Sequence, residues 1–368
     1  MSLQPRIGWL VWAGIVGAVL LSGLGVCVGS AGVENLLSPL LHPALDPEQT
    51  AMAQQIVWEI RLPRTLGAWA AGALLGLAGA VAQGLFRNPL ADPYLLGSAS
   101  GASLGVALAL VALGGGAGML GGAANVGNMM NGGTSGMAIS VFSSSLWVRL
   151  GLTGAAFLGA VVAVLLTLAL SRGVGHTLRL LLAGVVVGVV LGAMTHLVLL
   201  FSPDSLQAMQ AFMLGSTAFV GWTSTVLMAV VWCVCSLGGW LLARVLDGLS
   251  LGDATALSLG LPVAPMRAAL VAVLALATGT AVAQTGLIAF VGLAAPHLVR
   301  SLVKTTHGSL MLLSSLVGGV LLMAADILAR GLIAPQELPV GVLTAVLGGG
   351  YLLWLMHRGP GRVAGGRA

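Results

Sequence analysis

Long apolar runs separated by short polar connections set the pattern of this chain. Ten apolar windows of about 18–24 residues are each long enough to cross a ~30 Å hydrocarbon core as a helix. The stretch 266–303 is too long for one crossing, so a reversal is predicted near Gln284, Thr285 and Gly286. The ten windows fall at 7–29, 62–85, 94–114, 150–170, 179–201, 222–243, 266–285, 287–303, 309–329 and 338–356.

Composition indicates the same class of fold. Hydrophobic residues make up 58% of the chain and charged residues 7%, whereas soluble domains carry roughly 25% charged residues. The chain is therefore predicted to be an all-α polytopic membrane protein that forms a single transmembrane domain over 1–368 and is surrounded by membrane lipid. Many of its 55 glycines must lie inside helices, where they permit close helix contact.

Metal and nucleic-acid sites are not expected. The three cysteines, Cys27, Cys233 and Cys235, lie in apolar runs without the spacing of a metal site or a disulfide framework. The net charge of +5 is spread along the chain and forms no basic block that would favour nucleic acid.

The distribution of Lys and Arg predicts the orientation. With the N-terminus inside, eleven of these residues fall in inner connections and four in outer ones. Both termini are therefore predicted to be cytoplasmic, with the first apolar run kept as an uncleaved span. The segment 114–145 is rich in Gly, Asn, Met and Ser, and it is predicted to be a flexible loop on the outer, periplasmic face.

The segment 246–265 is too polar to cross a membrane and lies on the predicted cytoplasmic side. Asp253 is predicted to cap a short helix, Gly260 to end it in the left-handed region, and Pro262 to prevent it from resuming. A short amphipathic helix between two spans could act as a lever arm that a partner pushes. The alternative is an ordinary surface helix.

Catalytic motifs do not fit this sequence, and no catalytic residue is expected. A phosphate-binding loop needs Gly-Lys-Ser/Thr, but Lys304, the only lysine, follows Val303. The stretch 97–101 places Ala99 where a G-x-S-x-G nucleophile would stand. An intramembrane hydrolase therefore lacks its nucleophile.

Arginines at the predicted outer rim are candidates for partner binding. Arg61 and Arg64 lie three residues apart at the mouth of the second span, and Arg330 follows Asp326 by four, so the latter two can pair on one helix face. Guanidinium groups there could dock acidic groups of an outside partner. The alternative is snorkelling of long side chains to the interface.

The fifth span and the segment after it are candidates for a pathway wall. Gly184, Gly188, Gly192 and His196 recur every four residues on one helix face, which indicates either close helix packing or a smooth passage. His196 is an intramembrane ionisable group, so a substrate contact competes with a packing role. The segment 203–219 has helical spacing of apolar residues and predicts a short interfacial helix that includes Met209 and Met213.

Several ordered blocks resemble the FecCD family of permease subunits of ABC importers for iron chelates, haem and cobalamin. These blocks are RLPRT (61–65), GLAGAVAQGLFRNPLADPYLLGSASGAS (76–103), LGLP (259–262), GLIAFVGLAAPHLVR (286–300), MAADILAR (323–330) and ELPVGVLTAVLGGGYLLWL (337–355).

The resemblance implies a type II importer fold, a homodimer in the bacterial inner membrane, two cytoplasmic ABC ATPase subunits and a periplasmic substrate-binding protein. ATP and Mg²⁺ would bind the ATPase, and this chain would bind no cofactor. Haem is the favoured substrate, followed by a ferric siderophore or cobalamin. The residues implied for ATPase coupling are Gly252, Asp253, Ala256, Leu259, Gly260 and Pro262; those for docking are Arg61, Arg64 and Arg330; those for the pathway are Gly184, Gly188, Gly192, His196, Met209 and Met213.

The competing class is a secondary transporter or channel driven by an ion gradient. Such proteins generally need carboxylates at mid-membrane depth to couple ions. Asp326 is the only acid inside a predicted span, and it lies near the outer end.

Overall fold

A computed structural model describes residues 4–29, 32–33, 47–120, 146–171 and 177–357. Fourteen α-helices are present in these ranges, with a two-stranded antiparallel pair of β1 (Val28–Gly29) and β2 (Gly32–Val33) after the first helix. The helices are α1 (Gln4–Cys27), α2 (Pro47–Gln55), α3 (Leu62–Leu85), α4 (Ser98–Leu120), α5 (Leu146–Leu170), α6 (Thr177–Leu200), α7 (Leu206–Leu214), α8 (Trp222–Leu241), α9 (Ala243–Ser250), α10 (Asp253–Ser258), α11 (Val263–Thr285), α12 (Val291–Leu302), α13 (His307–Gly331) and α14 (Val340–His357).

Seven described helices are long and apolar enough to cross a membrane. Two shorter apolar helices, Ser98–Ala112 and Val340–Trp354, lie in further predicted windows. The second span is longer than the sequence predicts, because α2 continues through a π-helical segment, Ile56–Arg61, directly into α3. The short helix predicted within 203–219 is present as α7, after a 3₁₀ turn at Pro203–Ser205.

The eighth predicted span, 287–303, is only partly helical. Its helix α12 has twelve residues, which at about 1.5 Å per residue falls well short of a ~30 Å core. The predicted reversal is present, since α11 ends at Thr285 and Gly286 adopts a φ of 70°. A Cβ at Gly286 would stand 2.3 Å from the carbonyl oxygen of Phe212, so only glycine lets the chain turn against α7.

The predicted loop 114–145 starts later than the sequence indicates. Residues 114–120 form the end of α4. The remaining residues, 121–145, lie outside the described part of the chain.

Helix α3 forms the centre of the bundle. Nearly all of its residues are buried, and it packs most extensively against α13. Glycines permit this contact: a Cβ at Gly72 would stand 2.3 Å from the carbonyl oxygen of Gly318, and one at Gly76 would stand 2.1 Å from that of Ser314. The high glycine content therefore serves backbone-to-backbone packing, as predicted for membrane helices.

Candidate functional site

Two charged clusters lie at opposite ends of α3 and α13. The first, here called the arginine cluster, comprises Arg61, Arg64, Asp326, Arg330 and Glu337. It lies at one end of α13, roughly 35 Å from His307 at the other end, at about 1.5 Å per residue. The second cluster surrounds the connector, defined as residues 243–262, which contains α9 and α10.

Asp326 is the centre of the arginine cluster. Its Oδ1 accepts from Arg64 Nη2 at 3.1 Å and from Arg64 Nε at 3.3 Å, and its Oδ2 accepts from Arg330 Nη2 at 2.6 Å. The hydroxyl of Thr217 also donates to Oδ1. The pairing of Asp326 with Arg330 predicted from their four-residue spacing is confirmed.

Glu337 completes the cluster and was not singled out from the sequence. Its two carboxylate oxygens accept from Arg64 Nη1 at 3.0 Å and Nη2 at 2.9 Å, a two-point fork. Its position at the head of the ELPVG block could have marked it as a candidate. Its pairing with Arg64 could not be predicted from local spacing, because the two residues lie 273 positions apart.

Backbone carbonyls at the end of the first span accept further hydrogen bonds from the guanidinium groups. Arg61 Nη1 donates to the carbonyl of Val26 at 2.8 Å. Arg330 Nη1 donates to the carbonyls of Gly25 and Val28 at 3.1 and 3.2 Å. The cluster therefore ties the end of α1 to α3 and α13.

Burial distinguishes this cluster from an open docking patch. Asp326 is 0% exposed and Arg330 1% exposed, and both Arg61 and Arg64 are buried. Among the paired side chains, Glu337 is the most open, at 24%. The three arginines predicted for docking are thus brought together, but internal groups hold their donors. Their docking role stays a prediction.

The connector contains the short helix predicted from the sequence, with one correction. Asp253 does not cap α10. Gly252, with a φ of 105°, stands at the N-cap position, and Asp253 is the first helical residue. Its carboxylate instead accepts hydrogen bonds from two arginines, Arg87 and Arg267. Gly260, with a φ of 77°, ends the helix in the left-handed region as predicted.

Asp253 joins two arginines from distant parts of the chain. Its Oδ1 accepts from Arg87 Nη2 at 2.7 Å and from Arg267 Nη2 at 2.8 Å. Arg267 is 3% exposed in α11, whereas the side chain of Asp253 is 41% exposed. We call this group of three the connector clasp.

A second contact anchors the connector to α13. Asp247 Oδ1 in α9 lies 2.7 Å from His307 Nδ1 and accepts from the His307 backbone N–H at 3.1 Å. The first turn of α13 is therefore held by an acid of the connector, as expected for a carboxylate near the positive end of a helix.

The connector also presents an apolar face. Leu251, Leu257 and Leu259 are each more than half exposed, whereas Ala256 is fully buried beneath them. Pro262 and Gly260 are exposed at the end of the segment. Of the residues implied for coupling, Leu259 lies on the surface that a partner could reach, while Ala256 has a packing role.

The glycines of α6 divide between packing and open surface. A Cβ at Gly184 would stand 2.0 Å from the carbonyl oxygen of Leu95, so Gly184 serves close packing. A Cβ at Gly188 would make only ordinary contact, and one at Gly192 would meet nothing within 4 Å. His196 is exposed, and its Nδ1 lies 2.8 Å from the carbonyl oxygen of Gly192.

The two methionines of α7 face different surroundings. Met209 is 0% exposed and packs in a core cluster with Phe212 and Leu199. Met213 lies on the exposed side of the same helix. Of the pair predicted for the pathway, only Met213 presents its side chain to the outside of this subunit.

The fold and the two charged clusters together define the class of protein. It is a polytopic helical membrane protein in which one packed helix pair, α3 and α13, has charged groups at both ends. The FecCD transport family profile matches residues 15–358. The hemin transport system permease protein HmuU of Yersinia pestis is 37% identical over 361 residues, 97% of this chain and 97% of that protein. The vitamin B12 import system permease protein BtuC of Salmonella typhimurium is 36% identical over 313 residues, 83% of this chain and 85% of that protein.

A solved structure of similar shape describes an inward-facing metal-chelate type ABC transporter. It is 27% identical, has a TM-score of 0.74, and is matched over 96% of this chain and 99% of that one. The chain belongs to the FecCD transport family. It is a membrane permease subunit and not an enzyme, and the fold class predicted from the sequence is confirmed.

Proposed function

We propose that this chain is the permease subunit of an ATP-driven importer that carries haem into the cytoplasm, with a ferric siderophore as the next candidate and cobalamin after it. The observation that carries the choice is the similarity to the hemin permease over 97% of both chains. Similarity to the vitamin B12 permease covers a smaller share, 83% of this chain, at nearly the same identity. The permease lies in the bacterial inner membrane with both termini in the cytoplasm.

The working assembly is a homodimer with two cytoplasmic ABC ATPase subunits. The exposed leucines of the connector supply a surface for the ATPase, since exposed apolar side chains next to charged ones are typical of contact sites. ATP and Mg²⁺ bind the ATPase, whose closure moves the connector. The passage between the two permease subunits then switches from outward to inward opening.

A periplasmic binding protein docks at the arginine cluster. Glu337 is the more exposed of the two acids in the arginine cluster and fills the fork of Arg64. A partner carboxylate can reach Arg64 by taking the place of Glu337, which conserves the charge balance of the cluster. The expected interaction is salt-dependent because partly exposed ion pairs are screened.

Transport driven by an ion gradient is the competing function. It needs a titratable acid that can exchange ions. Within the described spans, Asp326 is fully buried and shared between Arg64 and Arg330, and this pairing favours a fixed structural charge over an ion-coupling one.

The test is uptake into proteoliposomes that contain the permease, its ATPase and its binding protein. Haem, a ferric siderophore and cobalamin are offered side by side, with and without ATP. We expect ATP-dependent uptake of haem above the other two, and none with an ATPase subunit that cannot hydrolyse ATP. Uptake by the permease alone would overturn the ATP-driven assignment, and preferred uptake of cobalamin would overturn the choice of haem.

His196 offers a sharper test of the substrate. A carbonyl oxygen can only accept, so the contact with Gly192 places the proton of the neutral ring on Nδ1 and leaves the lone pair of Nε2 available to a metal. His196→Ala is expected to slow haem uptake and to leave uptake of cobalamin unchanged. Gly192→Ala is the control, since it alters the same face without removing the imidazole.

A further inference from the structure

Arg87 adopts a backbone conformation that favours glycine. Helix α3 ends in a Schellman motif: the N–H of Arg87 donates to the carbonyl of Gly84 at 3.3 Å, and that of Asn88 to the carbonyl of Gln83 at 3.2 Å. This motif places Arg87 at a φ of 50°, where a side chain crowds the backbone. An arginine at a position that suits glycine indicates a need for its side chain.

The side chain of Arg87 forms an ion pair with Asp253. The guanidinium reaches across to the connector, 166 residues away in sequence, and shares Oδ1 of Asp253 with Arg267. Three elements therefore converge on one oxygen atom: the end of α3, the first turns of α11 and the start of α10. The start of α10 is joined to the end of the central helix through this atom.

The two arginines differ in their freedom to move. Arg267 is almost fully buried in α11, so packing around its side chain restricts its motion. Arg87 is 37% exposed at the surface. Removal of the carboxylate would take away the acceptor that the two guanidinium groups share, and the start of α10 would lose its ion pair with the end of α3.

We propose that Asp253 is a positioning residue that fastens the connector to α3 and α11, so that displacement of the connector moves the central helix pair. This inference rests on the proposed function, because the displacement comes from the partner ATPase. Motion of α3 carries α13 with it through the glycine contacts and reaches the arginine cluster at the far end. The clasp thus couples the ATPase side of the permease to the docking side.

The first experiment measures the clasp in the purified permease, without partner or substrate. Hydrogen exchange of the amides of residues 254–260 is compared in wild type, Asp253→Asn and Arg87→Gly. We expect exchange to be faster in both variants by about threefold to tenfold, the effect of one or two partly exposed ion pairs. Arg87→Lys keeps the charge and should restore most of the protection.

Charge-matched controls lie outside the clasp. Arg244→Gln removes a positive charge from the exposed side of α9, and Glu59→Gln removes a negative one from the π-helical segment. Neither should alter exchange in residues 254–260. Unchanged exchange in both Asp253→Asn and Arg87→Gly would overturn the clasp.

The second experiment measures coupling in the full complex with ATPase and binding protein. For Asp253→Asn we expect the number of solute molecules imported per ATP hydrolysed to fall at least about fivefold, with co-purification of the ATPase unchanged. Faster exchange together with unchanged import per ATP would overturn the coupling role. If the wild-type complex imports none of the three solutes, the proposed function fails, while the exchange measurement still decides whether the clasp exists.

Discussion

The two ends of this permease carry similar charge bridges that differ in their exposure to water. At each end one aspartate bridges two arginines from different parts of the fold. Asp326 joins Arg64 of α3 and Arg330 of α13, and Asp253 joins Arg87, just past the end of α3, and Arg267 of α11. Asp326 is fully buried, whereas the side chain of Asp253 is 41% exposed. The geometry is alike, and the access of water differs.

Water access decides what each bridge can do. Charges in a buried network interact strongly and cannot lose a partner without leaving an unpaired charge in a medium of low dielectric constant. A partly exposed bridge is screened, and water can solvate Asp253 and Arg87 when they separate. The arginine cluster is therefore suited to fix helix positions, and the connector clasp to open and close during a transport cycle.

The largest expected effect comes from breaking the buried bridge. Asp326→Asn removes the negative partner of Arg330 and leaves Arg64 paired with Glu337 alone. This should lower the free energy of unfolding by about 3–5 kcal/mol. Asp253→Asn is the matched control and should change it by less than about 1 kcal/mol. Thermal unfolding of the two variants in the same detergent measures the difference. Equal losses would show that burial does not separate the two bridges.

A second test concerns the helix pair that joins the two ends. In Gly76→Ala the new methyl group would stand 2.1 Å from the carbonyl oxygen of Ser314, so α3 and α13 must move apart. We expect a loss of roughly 1–3 kcal/mol, the usual effect of overpacking. Gly192→Ala, where a Cβ meets nothing within 4 Å, should be nearly neutral. Similar melting temperatures for the two variants would contradict close packing as the link between the ends.

The hydrophobic pattern predicted most of the fold because lipid demands long apolar helices with internally satisfied backbone groups. All ten predicted windows contain a described helix. The pattern overestimated the length of helix in the eighth span, since apolar composition alone does not distinguish the irregular segment 286–290 from helix α12. That segment is set by contacts of Gly286 with α7, which no local window contains.

Local spacing predicted part of the candidate site. The Asp326–Arg330 pair lies within one helix, so a four-residue spacing was enough to find it. The Arg64–Glu337 fork and the Arg87–Asp253 ion pair join residues 273 and 166 positions apart. The sequence around Asp253 predicts a cap because backbone N–H groups lie next to it, whereas its two arginine partners lie 14 and 166 positions away. The burial of Arg61 and Arg64 also follows from tertiary packing and not from their place at a predicted rim.

Asp92 has no ion-pair partner among the described residues, so it tests the effect of burial on a carboxyl group by itself. It caps the 3₁₀ turn Pro93–Leu96 by accepting from the backbone N–H of Tyr94 at 2.8 Å. Burial raises the pKa of Asp92 above its ordinary value of 3.8, and the hydrogen bond from Tyr94 opposes part of that rise. Because its folded-state pKa is raised, the contribution of Asp92 to stability is fully present below its ordinary pKa of 3.8 and is lost as the pH rises through the folded-state pKa.

Two substitutions at Asp92 separate the charge from the cap. Asp92→Asn keeps an acceptor for Tyr94 and removes the buried charge, so its stability relative to wild type should increase as the pH rises through that window. Asp92→Ala loses the acceptor and should cost about 1 kcal/mol even where the wild-type acid is protonated. Melting temperatures across the pH range measure both effects. A difference between Asp92→Asn and wild type that does not vary with pH would contradict the raised pKa.

The smallest expected effect is at Arg87, where two contributions oppose each other. Arg87→Gly relieves a left-handed backbone that costs a residue with a Cβ roughly 1–2 kcal/mol, and it removes a surface ion pair worth about 0–1 kcal/mol. The free energy of unfolding should therefore stay within about 1 kcal/mol of wild type or rise slightly. At high salt the ion pair is already screened, so the variant should gain relative to wild type as salt is added. A strong destabilisation that persists in high salt would mean that Arg87 supports the fold itself, and the contrast between a fixed end and an adjustable end would no longer hold.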